Sequence, residues 1–304
     1  ACFDMYYEPE DMAKASVDFG FRTVMCCAVN DFKDSIPLLE KYYNLYNSYD
    51  ELVSYKLGFH AEYTTSKEIM QGVAALAEKY HAPVFTHTAE TESEVKECIA
   101  RYGKTPVALF DELGLWNYGG GAYHCVWINE EDMDILKKRG VWAVINAASN
   151  AKLASGIAPV TDMMDKGVPL AVGTDGPASN NALDIFREMY LIAVTQKLKN
   201  HDAASCDADA ILKMATVGSA HCMGLNNCDV IDIGKTADLI VIDLHRPNMQ
   251  PINNITKNLV YSGSKENVLM TMINGTILYD NRQFIGIDNE RIYREAQAVI
   301  DRIR

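Results

Sequence analysis

The sequence contains no His-x-His, no Cys-x-x-Cys pair, no basic apolar leader and no apolar run near the ~20 residues of a membrane-spanning helix. Basic residues are also scarce. Lys and Arg number 28 against 41 Asp and Glu, the formal net charge is −13, and no Lys/Arg cluster offers a local exception. Such a surface repels phosphates, so nucleic acid and anionic membrane surfaces are excluded as partners. Eight cysteines without a regular framework read as reduced thiols, mostly small buried hydrophobes. Together with the missing leader and span, they lead to the expectation of a cytoplasmic protein. What is present is an ordinary folded composition over 304 residues, 48% hydrophobic and 23% charged, which excludes disorder and low-complexity structure.

One pattern recurs: a short β-rich run, a loop, then an amphipathic stretch closed by Gly or Pro. Strands are expected at Ala1–Tyr6, Arg22–Val29, Leu52–Phe59, Pro83–Thr88, Gly121–Val126, Val141–Asn146 and Pro169–Thr174. Helices are expected at Pro9–Phe19, Ser35–Tyr46, Ser66–Tyr80, Glu92–Tyr102, Glu130–Arg139, Thr161–Lys166 and Leu183–Leu198. Most of these strands are continuously apolar, as in a parallel sheet covered on both faces. Gly20, Gly103, Gly140 and Gly167 follow helical patterns at the position where a left-handed residue ends a helix.

Seven βα units fit either a (β/α)8 TIM-type barrel short of one strand or an open doubly wound sheet. His60, His87, His124, Asn146 and Asp175 all fall at or just past the C-terminal ends of strands. A barrel gathers such ends at one mouth, whereas an open sheet separates them, so the barrel is preferred. The count implies that the first strand is absent from these 304 residues. The competing reading is a genuine seven-stranded variant.

Past residue 225 the pattern changes. Asp229–Asp243, Asn258–Tyr261, Val268–Ile273 and Thr276–Tyr279 read as short strands with an Asn274-Gly275 hairpin turn, and Asp288–Arg304 as an amphipathic helix. The expected organisation is a barrel over 1–225, a small β-sandwich appendage over 226–287, and a C-terminal helix over 288–304 packing on the barrel.

The strand-end residues are those able to carry chemistry. His87 ends a buried strand with Glu90 three residues on, an arrangement that offers imidazole to a metal and a carboxylate for proton transfer. The plain alternative is a core histidine and a helix-start glutamate. His124 is a second strand-end histidine. Asp175, in Gly-Thr-Asp-Gly, is either a metal ligand or a turn former. His60 sits on the same rim, where it can bond a substrate. Taken together these residues say more than singly: His87 to His124 is 37 residues, one βα step, and His124 to Asp175 is 51, two steps. Two histidines and a carboxylate suit zinc or a similar divalent metal, and they would even suffice to hold one unaided.

At this level of detail the chain resembles the amidohydrolase superfamily, and within it the branch of S-adenosylhomocysteine/methylthioadenosine deaminases and their chlorohydrolase relatives. The resemblance runs over essentially the whole chain through GFHAEYTTS (Gly58–Ser66), THTAET (Thr86–Thr91), YHCV (Tyr123–Val126), SNAKLASGIAPV (Ser149–Val160), VGTDGPASNNALDIFREM (Val172–Met189) and IGKTADLIVID (Ile233–Asp243). It implies that His87 and Asp175 are metal ligands, Asp175 acting also as general base. Glu90 would contact the heterocycle and carry a proton to its ring nitrogen. His124 would polarise the attacking water, and His60 would contact substrate. The family's His-x-His ligand pair on its first strand has no counterpart here, in agreement with the strand count. Two positions depart from the pattern: Glu62 stands where a Pro is usual, and Trp127 where a second His is frequent.

The implied activity is hydrolytic deamination of an aminated heterocycle, foremost an adenosine-like nucleoside, with one divalent metal, zinc before iron, as cofactor. The alternatives are a chlorohydrolase-type reaction on a triazine-like ring and a non-catalytic degenerate barrel. The expected partner is the small heterocyclic substrate, and homo-oligomerisation is a family-level implication only.

Overall fold

The structure is a computed structural model that describes residues 1–33 and 35–303. Its frame is one parallel sheet of seven strands in chain order: β1 (Cys2–Tyr6), β2 (Thr23–Cys27), β3 (Val53–Ala61), β4 (Val84–Thr88), β5 (Gly120–His124), β6 (Val141–Ile145) and β7 (Leu170–Val172). Every consecutive pair is parallel, so each link is a βα crossover. The curled sheet is that of a TIM-type barrel, and among the described residues β1 and β7 form its two edges.

The apolar runs divide by strand parity into two cores. Phe85, Tyr123, Val144 and Ala171 point inward, with Cys26, Phe3, Met5 and Cys222, and fill the concave side. Their neighbours Val84, Ala122, Ala143, Ile145, Leu170 and Val172 pack outward beneath the helices. Both faces are dry, which is why these strands do not alternate in polarity. The inner plug is aromatic: the Phe3 and Phe85 rings lie 4.7 Å apart and Phe3 and Tyr123 6.0 Å apart. At the start of β5, Gly120 takes φ 145° with the Val84 carbonyl where a Cβ would be, so no other residue lets β4 and β5 approach.

All six helices expected between strands are present within a few residues, as is Ile185–Asn200 after the last strand. Further helices interrupt the expected loops: Pro106–Glu112 behind its Thr105 cap, and Ala147–Lys152 directly after β6. Ala208–Lys213 continues through a π-helical turn, Met214–Gly218, into Ser219–Met223. Six of the eight cysteines are buried; Cys2 is exposed and Cys228 half-buried. No helix among the described residues is long and apolar enough to cross a membrane.

The C-terminal part holds a separate antiparallel sheet in the order β11-β10-β9-β8. Its strands are β8 (Leu239–Ile242), β9 (Val268–Ile273), β10 (Thr276–Asp280) and β11 (Gln283–Phe284). Asn258–Tyr261, expected as a strand, lies instead in the helix Ile255–Ser262. There the Asn254 side chain caps the first turn by accepting from the Lys257 N–H at 2.9 Å, and Val260 is buried. Only Leu239–Ile242 of the long expected strand 229–243 is extended in a ladder. The last helix, Asn289–Ile303, has no buried residue.

Candidate active site

The strand ends deliver His60, His87, Glu90, His124 and Asp175 to one mouth. His87 stands at its centre, its ring 4.9 Å from that of His60, 5.4 Å from that of His124 and 5.2 Å from that of Tyr123 beneath. Its Nδ1 lies 2.9 Å from the His60 carbonyl. A carbonyl only accepts, so Nδ1 carries the proton and Nε2 presents a lone pair to the mouth. Burial, with His124 and His60 nearby, pushes the His87 pKa down to about 3, so the ring is neutral. His60 is likewise lowered by burial, and its Nδ1 meets the Thr64 hydroxyl at 2.7 Å.

Strand alternation pairs His124 with Thr88 on the face opposite His87 and Tyr123. His124 nevertheless reaches the mouth, because β5 ends in two successive left-handed residues, His124 (φ 73°) and Cys125 (φ 49°). Ala89 and Asp175, at the ends of β4 and after β7, are left-handed too. Four strained non-glycine residues around one mouth mark a place where side chains are aimed at the expense of backbone comfort. The His124 ring is buried, with Nδ1 at 2.7 Å from Asn150 Oδ1 and Nε2 at 3.8 Å from Glu90 Oε2.

Asp175 is fixed by both oxygens. The Ser149 hydroxyl donates to Oδ2 at 2.6 Å and the Gly176 N–H to Oδ1 at 2.7 Å. Burial works to raise its pKa, but those two donors and the neighbouring His124 and His87 hold it below the usual carboxylate value. Glu90 accepts from the Ser155 hydroxyl at 3.2 Å. Its loop is held from behind by Glu94, whose carboxylate accepts the N–H groups of Ala89 (2.8 Å), Glu90 (2.7 Å) and Thr91 (3.5 Å). Burial, offset in part by these donors, lifts Glu94 to about 7.

The two departures from the family pattern are both accommodated. Glu62 is buried and gripped by Arg101, with Nη2 to Oε2 at 2.6 Å and Nε to Oε1 at 3.1 Å. Trp127 stands half-exposed, its indole N–H donating to the Ser155 carbonyl at 2.7 Å, next to the group that holds Glu90.

The donors present fit a divalent cation in kind: a neutral imidazole with a free Nε2 and an ionised carboxylate. They do not enclose one. Among the described residues no group of three or more His, Cys, Asp or Glu side chains could hold a metal ion, so a ligand set made of His87, His124 and Asp175 alone is not formed. His124 has Nδ1 bonded to Asn150 and Nε2 3.8 Å from Glu90 Oε2. Sequence reasoning assigned no role to Ser149, Asn150, Ser155 or Glu94. Ser149, Asn150 and Ser155 stand in the motif Ser149–Val160, and Glu94 is the fourth residue of the capping box Thr91-x-x-Glu94.

A parallel βα sheet that brings His, Glu, His and Asp together at its strand ends is the architecture of a TIM-type hydrolase. The chain belongs to the amidohydrolase family, whose model it matches over residues 1–278. It is 37% identical over 302 residues to a 5-methylthioadenosine/S-adenosylhomocysteine deaminase of Caldanaerobacter subterraneus subsp. tengcongensis, spanning 97% of this chain and 70% of that one. The crystal structure of an adenosine deaminase from Xanthomonas campestris with bound zinc superposes with a TM-score of 0.94 at 32% identity, over 99% of this chain and 70% of that one. The zinc complex of the atrazine chlorohydrolase TrzN from Arthrobacter aurescens TC1 gives 0.85 at 22% identity, over 96% and 69%, a likeness of fold alone.

Proposed function

We propose that this protein is a hydrolytic deaminase of an adenosine-like nucleoside, in which water displaces the exocyclic amine of the purine and ammonia leaves. The observation that carries the reading is the meeting of Glu90, His124 and Asp175 at one mouth, each held by its own donor or acceptor. The similarity to enzymes named as deaminases of 5-methylthioadenosine, S-adenosylhomocysteine and adenosine supports the substrate class.

His87 Nε2 and Asp175 are the side chains that would contribute ligands to a divalent metal, zinc in the first place. Such an ion, when bound, would lower the pKa of the attacking water from 15.7 toward ~7. Asp175, kept ionised by Ser149 and Gly176, takes the first proton of that water. His124 has its Nδ1 committed to Asn150, leaving Nε2 to orient the water and then to support the charge developing on oxygen. Glu90 delivers a proton to the ring nitrogen beside the attacked carbon, making that carbon electrophilic. As the tetrahedral adduct collapses, Asp175 passes the first water proton to the amine, which leaves as ammonia, and Glu90 recovers the second from the adduct hydroxyl, so both carboxyl groups return to their starting state. The aromatic floor of Phe85 and Tyr123 excludes water from below.

The test is a panel of adenosine, 5′-methylthioadenosine, S-adenosylhomocysteine and a chloro-substituted triazine, followed by ammonia and chloride release. Ammonia from the nucleosides alone supports the reading. Chloride from the triazine with no nucleoside turnover would replace it with a chlorohydrolase.

A further inference from the structure

The mechanism requires Asp175 and His124 to keep a fixed relation, although His124 ends β5 and Asp175 follows β7, with β6 between them. The bonds that set this relation pass through the segment after β6. Ser149 donates to Asp175 and Asn150 accepts from His124, both across 26 residues of chain. That segment is a helix of only six residues, Ala147–Lys152, whose preceding Asn146 provides no side-chain cap. So short a helix cannot hold its own first turn in place.

Glu188 supplies the hold. It lies in the first turn of the helix Ile185–Asn200 and is 0% exposed. One carboxylate oxygen accepts the Ala148 N–H at 2.9 Å, next to Ser149 and Asn150. The other accepts from the Asn180 amide at 2.7 Å. The same amide donates to the Thr174 carbonyl at 2.7 Å, next to Asp175. A single carboxylate, out of reach of any substrate, thus ties the loop after β6 to the loop after β7.

We propose that Glu188, with Asn180, is a positioning residue that sets the distance and angle between Asp175 and His124. What the positioned pair does rests on the deaminase reading; that it is positioned does not. The alternative is a purely structural cap whose loss loosens the fold everywhere alike. Gln196 provides the comparison: it sits two turns along the same helix, is 1% exposed, and ties the Ala158 carbonyl at 2.9 Å, a different loop.

The test compares Glu188→Gln, Asn180→Ala and Gln196→Ala in the full chain by imidazole 15N NMR and by steady-state kinetics with 5′-methylthioadenosine. Glu188→Gln keeps the size but must turn an amide donor on either Ala148 or Asn180, so the His124 signals shift. Its kcat is expected to fall about 10–100-fold with KM nearly unchanged, the mark of misplaced groups rather than lost binding. Asn180→Ala leaves the Ala148 bond intact, so the His124 signals stay while kcat falls. Gln196→Ala lowers the melting temperature without moving either readout. The proposal is overturned if His124 does not respond to Glu188→Gln, or responds equally to Gln196→Ala. Should Glu188→Gln fail to fold, Asn180→Ala decides: unaltered kcat rejects the positioning role. Should the parent protein release no ammonia, the deaminase reading falls, and the His124 signals alone decide the positioning role.

Discussion

Glu94→Gln separates two effects of opposite sign. In the folded protein burial lifts this carboxyl from its ordinary 4.5 to about 7, against the pull of three backbone N–H groups and with the Glu90 charge adding to the rise. A raised carboxyl pKa means the folded state binds the extra proton. Its contribution to stability is therefore complete below pH 4.5 and is lost as pH rises through about 7. At 1.36 kcal/mol per pH unit, the loss amounts to about 3 kcal/mol at pH 8. Glutamine does not titrate, and it resembles the protonated acid in having one acceptor and one donor end. Glu94→Gln is therefore expected to match the parent near pH 4.5 and to exceed it by about 2–3 kcal/mol at pH 8, a rise in melting temperature on the order of 5 °C. The same change loosens the Glu90 loop, since an amide oxygen cannot take all three N–H groups, and kcat is expected to fall about tenfold. Thermal unfolding of both proteins between pH 4.5 and 8, followed by circular dichroism, provides the comparison. If Glu94→Gln is the less stable protein at pH 8, the three hydrogen bonds outweigh burial and the reasoning is wrong.

Asp175→Asn retains a carbonyl for the Gly176 N–H, and Ser149 can turn its hydroxyl to accept, so the fold should survive. Turnover should fall by about 10³-fold or more, as removal of a general base demands, and retention of near-parental ammonia release would refute that role. Arg101→Leu strands the buried Glu62 carboxylate. Breaking such a pair costs about 3–5 kcal/mol when fully buried. Arg101 is itself 40% exposed, so screening brings the expectation to about 2 kcal/mol, measurable by urea unfolding. Gly120→Ala drives a methyl group into the Val84 carbonyl at a φ that L side chains avoid, and soluble yield and melting temperature should both collapse.

The barrel-type sheet was readable because its physics is local. Strands covered on both faces are apolar throughout, and four of the amphipathic stretches between them end in a left-handed glycine, at Gly20, Gly103, Gly140 and Gly167. The strand-end positions of His60, His87, His124 and Asp175 were readable for the same reason, as was the resemblance that gave them roles. Three things were not. Asn258–Tyr261 has the composition of a strand, yet Asn254 caps it as a helix and Val260 is buried; cap and packing outweigh propensity. The left-handed turn at His124 and Cys125, which lets His124 join His87, has no glycine to announce it. The bonds from Ser149 to Asp175 and from Asn150 to His124 cross between strands, and no pattern of spacing along the chain encodes them. What the sequence does show is which residues reach the mouth. What orients them there emerges only from the folded loops.

The most direct test of the central claim is turnover of 5′-methylthioadenosine in water enriched in 18O, with the nucleoside product and ammonia both quantified. Hydrolytic deamination by this site predicts one ammonia per product and the heavy oxygen on the purine carbon that carried the amine, with both signals lost in Asp175→Asn. A product without the label, or label and ammonia undiminished in Asp175→Asn, would contradict it.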